Sequence, residues 1–310
     1  MRVFVTGGTG FIGRALVSAL VREGHQVVVW ARSRDSARAR LGPRVAVFEA
    51  SGGAPALATA LDGCDGVVNL AGEPLMSRRW SAERRKVLRD SRVETTAQLV
   101  RAIEAASARP GVLISGSAVG FYGDRGDDLL DETSAPDASF LSTLCQEWEA
   151  AAMRAAHVGV RVVLLRTSVA LGPGGALATM LPPFRLGVGG PVGSGRQYLP
   201  WIHLRDLVAV IVQALTDSRF VGPVNAVAPE ATTNRVFSKA LGRAIGRPAV
   251  MPVPAFVLRL MFGEGASTLL ASQRLRPEVL ERLGFQFRFP TLEAAFADLF
   301  GDEGKGNTRS

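Results

Sequence analysis

Lysine is almost missing from this chain. Of its 36 basic residues only Lys86, Lys239 and Lys305 are lysines, so between residues 86 and 239 no amine is available to any chemistry that needs one. Cysteine is as scarce. Cys64 and Cys145 cannot make a disulfide framework, and a reduced, cytoplasmic setting is the expectation. The three histidines stand apart at 25, 157 and 203; no ligand spacing appears, and no metal is expected. No apolar run approaches the ~18–20 residues of a membrane helix, so no membrane partner is expected. Met1 leads directly into a strand-like run, which leaves no room for a signal peptide. The net charge of +8 is carried by arginines scattered among acids. The denser groups, Arg32 to Arg40 and Arg78 to Arg92, have local explanations, so nucleic acid is not expected as a partner.

The length of 310 residues fits one large α/β unit or two coupled subdomains. Short Val- and Leu-rich runs at Val3–Thr6, Gln26–Trp30, Val45–Phe48, Gly66–Leu70, Val112–Ser115 and Arg161–Arg166 read as buried strands. Between them Phe11–Arg22, Arg34–Leu41, Pro55–Leu61, Trp80–Ala106 and Ser139–His157 read as helices. This alternation predicts right-handed crossovers and a Rossmann-type, doubly wound parallel sheet covered on both faces. After Thr167 the texture changes to glycine-rich loops, Leu171–Gly175 and Gly187–Gly195. A helix over Leu204–Leu215 and a strand over Val224–Val227 follow, then a helix over Thr232–Ile245 and helical pieces to about Leu283. The expected organisation is a cofactor domain over 1–170 to which 204–227 returns, and a smaller C-terminal substrate subdomain over 171–203 and 228–300. The polar stretch 301–310 is expected to be disordered.

The first strand runs into Thr6-Gly7-Gly8-Thr9-Gly10-Phe11-Ile12-Gly13, and an amphipathic helix follows. Gly8, Gly10 and Gly13 read G-x-G-x-x-G. Glycine is needed there for a tight turn, for close approach to a pyrophosphate and for helix–strand packing. The phosphates would rest on free N–H groups at the helix N-terminus. After the second strand comes Arg32-Ser33-Arg34, with no acid to accept ribose hydroxyls. A guanidinium fork suits a 2′-phosphate that a carboxylate would repel, so NADP(H) is expected over NAD(H), with Arg32 as the main contact and Ser33 or Arg34 assisting. The plainer alternative is that these residues cap or decorate the next helix. Asn69-Leu70-Ala71-Gly72 ends the fourth strand at the edge where such folds bind ligands. Asn69 either serves the cofactor or is a simple turn residue.

These motifs, with Ser115–Gly123 and Trp201–Asp206, resemble an extended short-chain dehydrogenase/reductase of the NAD-dependent epimerase/dehydratase type. Asn69–Glu73, Ser91-Arg92, Gly187–Gln197, Trp201–His203 and Gly284–Pro290 resemble more narrowly the subfamily known as "epimerase family protein", sometimes labelled a cell-division inhibitor. The resemblance implies that Ser115 lies beside the cofactor and that Ser117 binds the substrate oxygen. It also implies a Tyr-x-x-x-Lys pair on the next helix, in which lysine lowers the tyrosine pKa and tyrosine moves the proton. Aligned on Glu149, those two positions are Leu141 and Cys145. Either another group supplies the proton, Tyr122 first and Cys145 second, or the chain is an NADP(H)-binding regulatory or sensor module without turnover. Packing roles are the alternatives for both side chains. Glu73 and Arg196 are candidate contacts for a small-molecule substrate, a carbonyl or sugar-like compound; His203 is expected to be structural. Related proteins often dimerise through the helices holding Trp80–Ala106 and Ser139–His157, so a homodimer is an open expectation.

Overall fold

The computed structural model describes residues 1–49 and 53–301. Residues 302–310 of the expected disordered tail lie outside the described residues. The order is β1 (Arg2–Thr6), α1 (Phe11–Arg22), β2 (Gln26–Ala31), α2 (Arg34–Leu41), β3 (Ala46–Glu49), α3 (Gly53–Leu61) and β4 (Gly66–Asn69). Next come α4 (Ala82–Asp90), α5 (Val93–Ala105), β5 (Val112–Ala118), a 3₁₀ turn over Val119–Tyr122, β6 (Leu129–Leu130), α6 (Phe140–Met153) and β7 (Arg161–Thr167). The C-terminal half holds β8 (Val169–Leu171), α7 (Gly175–Arg185), β9 (Trp201–His203), α8 (Leu204–Thr216), β10 (Gly222–Ala226) and α9 (Asn234–Ala244). It closes with α10 (Ala255–Phe262), α11 (Ala266–Leu270), β11 (Arg274–Leu275), α12 (Glu278–Arg282) and α13 (Leu292–Phe300).

The main sheet has seven strands in the order β10-β7-β5-β4-β1-β2-β3, and its paired strands run parallel. Its central strands are buried on both sides, which is why they read as continuous apolar runs. One face packs Val3, Val5, Leu16 and Leu20 against Leu207 and Ile211 of α8. The other packs Phe4, Val67 and Leu113 against Leu57, Leu99 and Ile103. Each such fully buried side chain contributes about 1.5–3 kcal/mol. A third cluster joins α7, α9 and α13 through Leu177, Phe237 and Phe296. The chain builds outward from β1 to β2 and β3, then returns with β4 on the other side of β1. That reversal creates a switch point, and the crevice beyond the carboxyl ends of the strands is where a ligand enters.

The helix expected over Trp80–Ala106 is a pair, α4 and α5, broken at Ser91-Arg92. Ser91 Oγ donates to the Leu88 carbonyl (3.1 Å) and accepts the Glu73 N–H (3.1 Å). The Arg92 side chain donates to the carbonyls of Leu88 (3.1 Å) and Glu73 (2.9 Å). The break therefore ties the turn after β4 to the helix pair. The helix expected over Ser139–His157 likewise ends at Met153 and tightens into a 3₁₀ turn over Arg154–Val158.

Candidate active site

The glycine turn has the geometry its spacing predicts. Gly7 takes φ of 67°, and a Cβ there would lie 2.5 Å from the Leu70 carbonyl oxygen. At Gly13 a Cβ would lie 2.2 Å from the Gly7 oxygen, so helix and turn touch backbone to backbone. At Gly8 it would run into Val29 at 2.8 Å. Gly10 differs: it is exposed, and its Cβ position meets only the Gly7 oxygen, at 3.2 Å. It begins α1 with no side-chain cap and no acid in the first turn, so the first N–H groups are left for an anion beside Thr9. Ile12 is half-buried. Phe11 is held by the glycines after β8: a Cβ at Gly172, Gly174 or Gly175 would come within 3.0, 2.9 or 2.6 Å of its ring.

Arg32 is exposed just past β2, and among the described residues no carboxylate pairs with it. Ser33 caps α2, its Oγ accepting the Ser36 N–H (3.4 Å). Arg34 donates its backbone N–H to Glu49 Oε1 (2.8 Å). Thr6, Asn69 and Ser115 sit under the turn. Thr6 Oγ1 donates to Asn69 Oδ1 (2.6 Å) and accepts the Ala71 N–H (3.1 Å). Asn69 Nδ2 donates to Thr96 Oγ1 (2.7 Å) and to Ser115 Oγ (3.4 Å). Trp148 Nε1 also donates to Thr96 Oγ1 (2.9 Å). These groups are buried and satisfied, so they shape the turn from behind. Leu70 and Ala71 are half-buried and Gly72 is exposed. Glu73 Oε2 lies 3.6 Å from Arg84 Nη1.

The three groups expected to do chemistry are turned inward. Ser117 Oγ donates to Glu149 Oε1 (2.6 Å). Glu149 also accepts two bonds from Arg166, Nε to Oε1 and Nη2 to Oε2, both 2.9 Å. Tyr122 is 0% exposed. Its hydroxyl donates to Asn225 Oδ1 (2.7 Å) and accepts from Arg166 Nη1 (2.9 Å). Burial pushes its phenol up to about 12, against the opposing pull of Arg166. Cys145 is 3% exposed, its Sγ directed at the Ala118 carbonyl at 3.7 Å. Burial, reinforced by Glu149, pushes the thiol up to about 12. Neither group is poised to exchange a proton near neutrality.

What does face the crevice is a cavity of about 920 Å³ at the carboxyl ends of β5 and β7, lined there by Ala118, Val119, Gly120, Thr167 and Ser168. Leu141, in the position of the expected tyrosine, is part of this wall, 3.4 Å from where a Gly120 Cβ would stand. The C-terminal half supplies Tyr198, Arg259 and Gln273. Gln273 Nε2 donates to the carbonyls of Val119 and Gly123, both at 2.9 Å, and fixes the strand-end loop. Arg196 is exposed, its backbone N–H donating to Ser194 Oγ (3.2 Å); it is not among the cavity's lining residues, whereas Tyr198, two positions on, is. Tyr198, Arg259 and Gln273 carry no spacing signal, because the fold alone brings them to β5.

His203 has the structural place expected of it. Its Nδ1 accepts the Arg205 N–H (3.1 Å), which leaves the proton on Nε2, 3.4 Å from Asp298 Oδ2. Burial pushes its pKa down to about 4. Among the described residues no cluster could hold a metal ion, and no helix is long and apolar enough to cross a membrane.

Residues 253–299 match a domain of unknown function, DUF1731. Epimerase family protein SDR39U1 of Bos taurus is 42% identical over 305 residues, covering 96% of this chain and 99% of that protein. The chloroplastic homolog in Arabidopsis thaliana is 40% identical over 302 residues, covering 95% and 85%. The crystal structure of human epimerase family protein SDR39U1 (isoform 2) with NADPH superposes with a TM-score of 0.88 at 39% identity, covering 97% of this chain and 100% of that one. With residues 3–227 matching the family directly, the chain belongs to the NAD dependent epimerase/dehydratase family.

Proposed function

We propose that this protein is an NADP(H)-dependent oxidoreductase or epimerase-like enzyme acting on a small carbonyl or hydroxyl compound, with an active site that lacks Tyr-x-x-x-Lys. The uncapped start of α1, the exposed Gly10 and the unpaired Arg32 suit a dinucleotide bearing a 2′-phosphate, and the NADPH-bound human relative supports the same choice. The observation that carries the reading is the cavity itself. It opens at the carboxyl ends of β5 and β7, on the sheet edge that also bears the glycine turn. When bound, NADPH supplies a hydride.

The chain must then manage a proton. Leu141 has none to give, and Tyr122 and Cys145 are sealed in the interior. The tyrosine that lines the cavity is Tyr198. Its backbone is held on both sides: its N–H donates to Ser272 Oγ (3.0 Å), and its carbonyl accepts the Gln273 N–H (3.3 Å). Such anchoring suits a group that must be positioned before the reaction. In this reading Tyr198 protonates the substrate oxygen as the carbonyl carbon is reduced, and water restores the phenol. The Leu141 wall also favours a second reading, an NADP(H) sensor without turnover. The test follows NADPH absorbance with a panel of carbonyl and sugar-like compounds, using wild type and Tyr198→Phe. Turnover that falls at least tenfold in Tyr198→Phe, with NADPH affinity unchanged, supports the enzyme with this proton source. Unchanged turnover rejects Tyr198 alone. Tight NADPH binding with no turnover on any compound establishes the sensor.

A further inference from the structure

We propose that Arg79 and Arg259 form an anion subsite of the cavity, so that the ligand is an apolar compound carrying a carboxylate or a phosphate monoester. This rests on the cavity being the substrate site and narrows the substrate class. Both residues line the cavity, and both are exposed. They come from opposite halves of the chain, and Gly263 touches both, the Arg259 backbone and the Arg79 side chain. Gly263 gives its N–H to the Arg259 carbonyl as the cap of α10, and the Arg79 Nε lies 3.1 Å from where a Gly263 Cβ would stand.

The structure around this meeting point is built to hold it. The Trp80 N–H donates to the Phe262 carbonyl (3.2 Å), joining the two halves by backbone. Trp80 Nε1 donates to the Leu75 carbonyl (2.8 Å), which fixes the indole. A Cβ at Gly265 would lie 3.0 Å from that indole nitrogen, so the Gly263–Gly265 turn is shaped around Arg79 and Trp80. Trp80 packs edge-on against Phe140 at 5.4 Å, and Phe140 precedes Leu141. An apolar wall thus runs from the strand ends through Leu141, Phe140 and Trp80 to Arg79, with Arg259 also in the lining.

The acids of the cavity have other partners and form no ion pair with them. Glu264 is paired with Arg85 (2.8 Å). Asp124 Oδ1 accepts the backbone N–H of Ser272 (3.0 Å), and Asp137 Oδ1 accepts the N–H and hydroxyl of Ser139. Among the described residues no carboxylate forms an ion pair with Arg79 or Arg259. Two unpaired arginines in the lining of one largely apolar cavity match a planar or tetrahedral oxyanion.

The test is equilibrium binding to the full chain, with and without NADP⁺, read by calorimetry. The probes are phenylacetate, phenyl phosphate and uncharged benzyl alcohol. At least one anion should bind about tenfold tighter than the alcohol, and which one does separates a carboxylate from a phosphate ligand. Arg79→Gln and Arg259→Gln should each weaken that anion about 10- to 100-fold and leave alcohol and NADPH binding unchanged. Arg79→Lys keeps the stem against Gly263 and serves if Arg79→Gln fails to fold; it should lose part of the affinity, because it keeps charge without the fork. Equal binding of alcohol and anions, no anion binding at all, or variants indistinguishable from wild type would overturn the subsite. Anion binding without turnover on any carbonyl acid leaves the subsite standing and rejects the proposed reaction. Turnover on neutral carbonyls with no anion preference does the reverse.

Discussion

Tyr122→Phe separates a structural phenol from a catalytic one. The ring would stay: it packs against Phe121 at 5.3 Å and under the Arg166 guanidinium at 5.1 Å, and both contacts need only the aromatic face. The hydroxyl's two bonds would go. Asn225 Oδ1 loses its donor, although Asn225 keeps Nδ2 on the Arg276 carbonyl (3.2 Å). Arg166 Nη1 loses an acceptor and keeps the Glu132 carbonyl (3.2 Å). A neutral bond contributes about 1 kcal/mol net and one to a charged group about 1.5–3 kcal/mol, so the loss should be about 2–4 kcal/mol. Against a total of about 5–15 kcal/mol this shifts a urea midpoint plainly. NADPH turnover per folded molecule should stay within about threefold of wild type, because the phenol touches neither cofactor turn nor cavity. Unchanged stability with turnover abolished would refute the reasoning and return Tyr122 to the chemistry.

Arg32→Ala should weaken NADPH by about 10- to 100-fold and leave NADH unchanged, since only the 2′-phosphate loses a charge-assisted partner; a wild type that prefers NADH in titration calorimetry contradicts this. Gly13→Ala puts a methyl 2.2 Å from the Gly7 carbonyl oxygen, so it should lose both NADPH binding and stability; a thermal melt and titration matching wild type would show that the turn yields. His203 has a folded pKa of about 4 against an ordinary 6.5, so the unfolded chain binds more protons between those values. Its contribution is fully present above pH 6.5 and is lost as pH falls to about 4, a total of about 3 kcal/mol. Denaturant titrations of wild type and His203→Gln should diverge across that window, and parallel curves would exclude the effect.

What was legible in the sequence was local. Gly7 to Gly13 act on each other and on Leu70 across one strand, so their spacing announces their geometry. The parallel sheet follows from alternation and handedness, because strand–helix–strand crossovers are right-handed. The break at Ser91-Arg92 was not legible, since both residues tolerate a helix and the partner that stops it, Glu73, belongs to the preceding loop. The inward turn of Ser117 and Tyr122 was hidden for the same reason. Their partners Glu149, Arg166 and Asn225 come from α6, β7 and β10, and no spacing connects them. The cavity is the extreme case: Arg79, Tyr198 and Arg259 meet only in the fold.

Leu141 and Cys145, which stand where the resemblance places a tyrosine and a lysine, share a physical setting in Arg92. Its guanidinium lies 3.1 Å from where a Gly72 Cβ would stand, is fastened to the carbonyls of Leu88 and Glu73, and lies over Trp148 at 5.4 Å. It is also the cation that acts on Cys145, where the resemblance places a lysine. Burial already pushes the Arg92 pKa down, so the site tolerates one desolvated cation at a cost. A lysine at 145 would bring a second cation to the same buried spot, where like charges interact strongly. A small thiol does not. Without that lysine, a tyrosine one turn earlier would have no ammonium to lower its pKa, and an apolar Leu141 can close the wall against Gly120 instead. The altered pair on α6 therefore belongs with the break that carries Arg92: the cation reaches this pocket from the junction of α4 and α5, bound to the turn after β4.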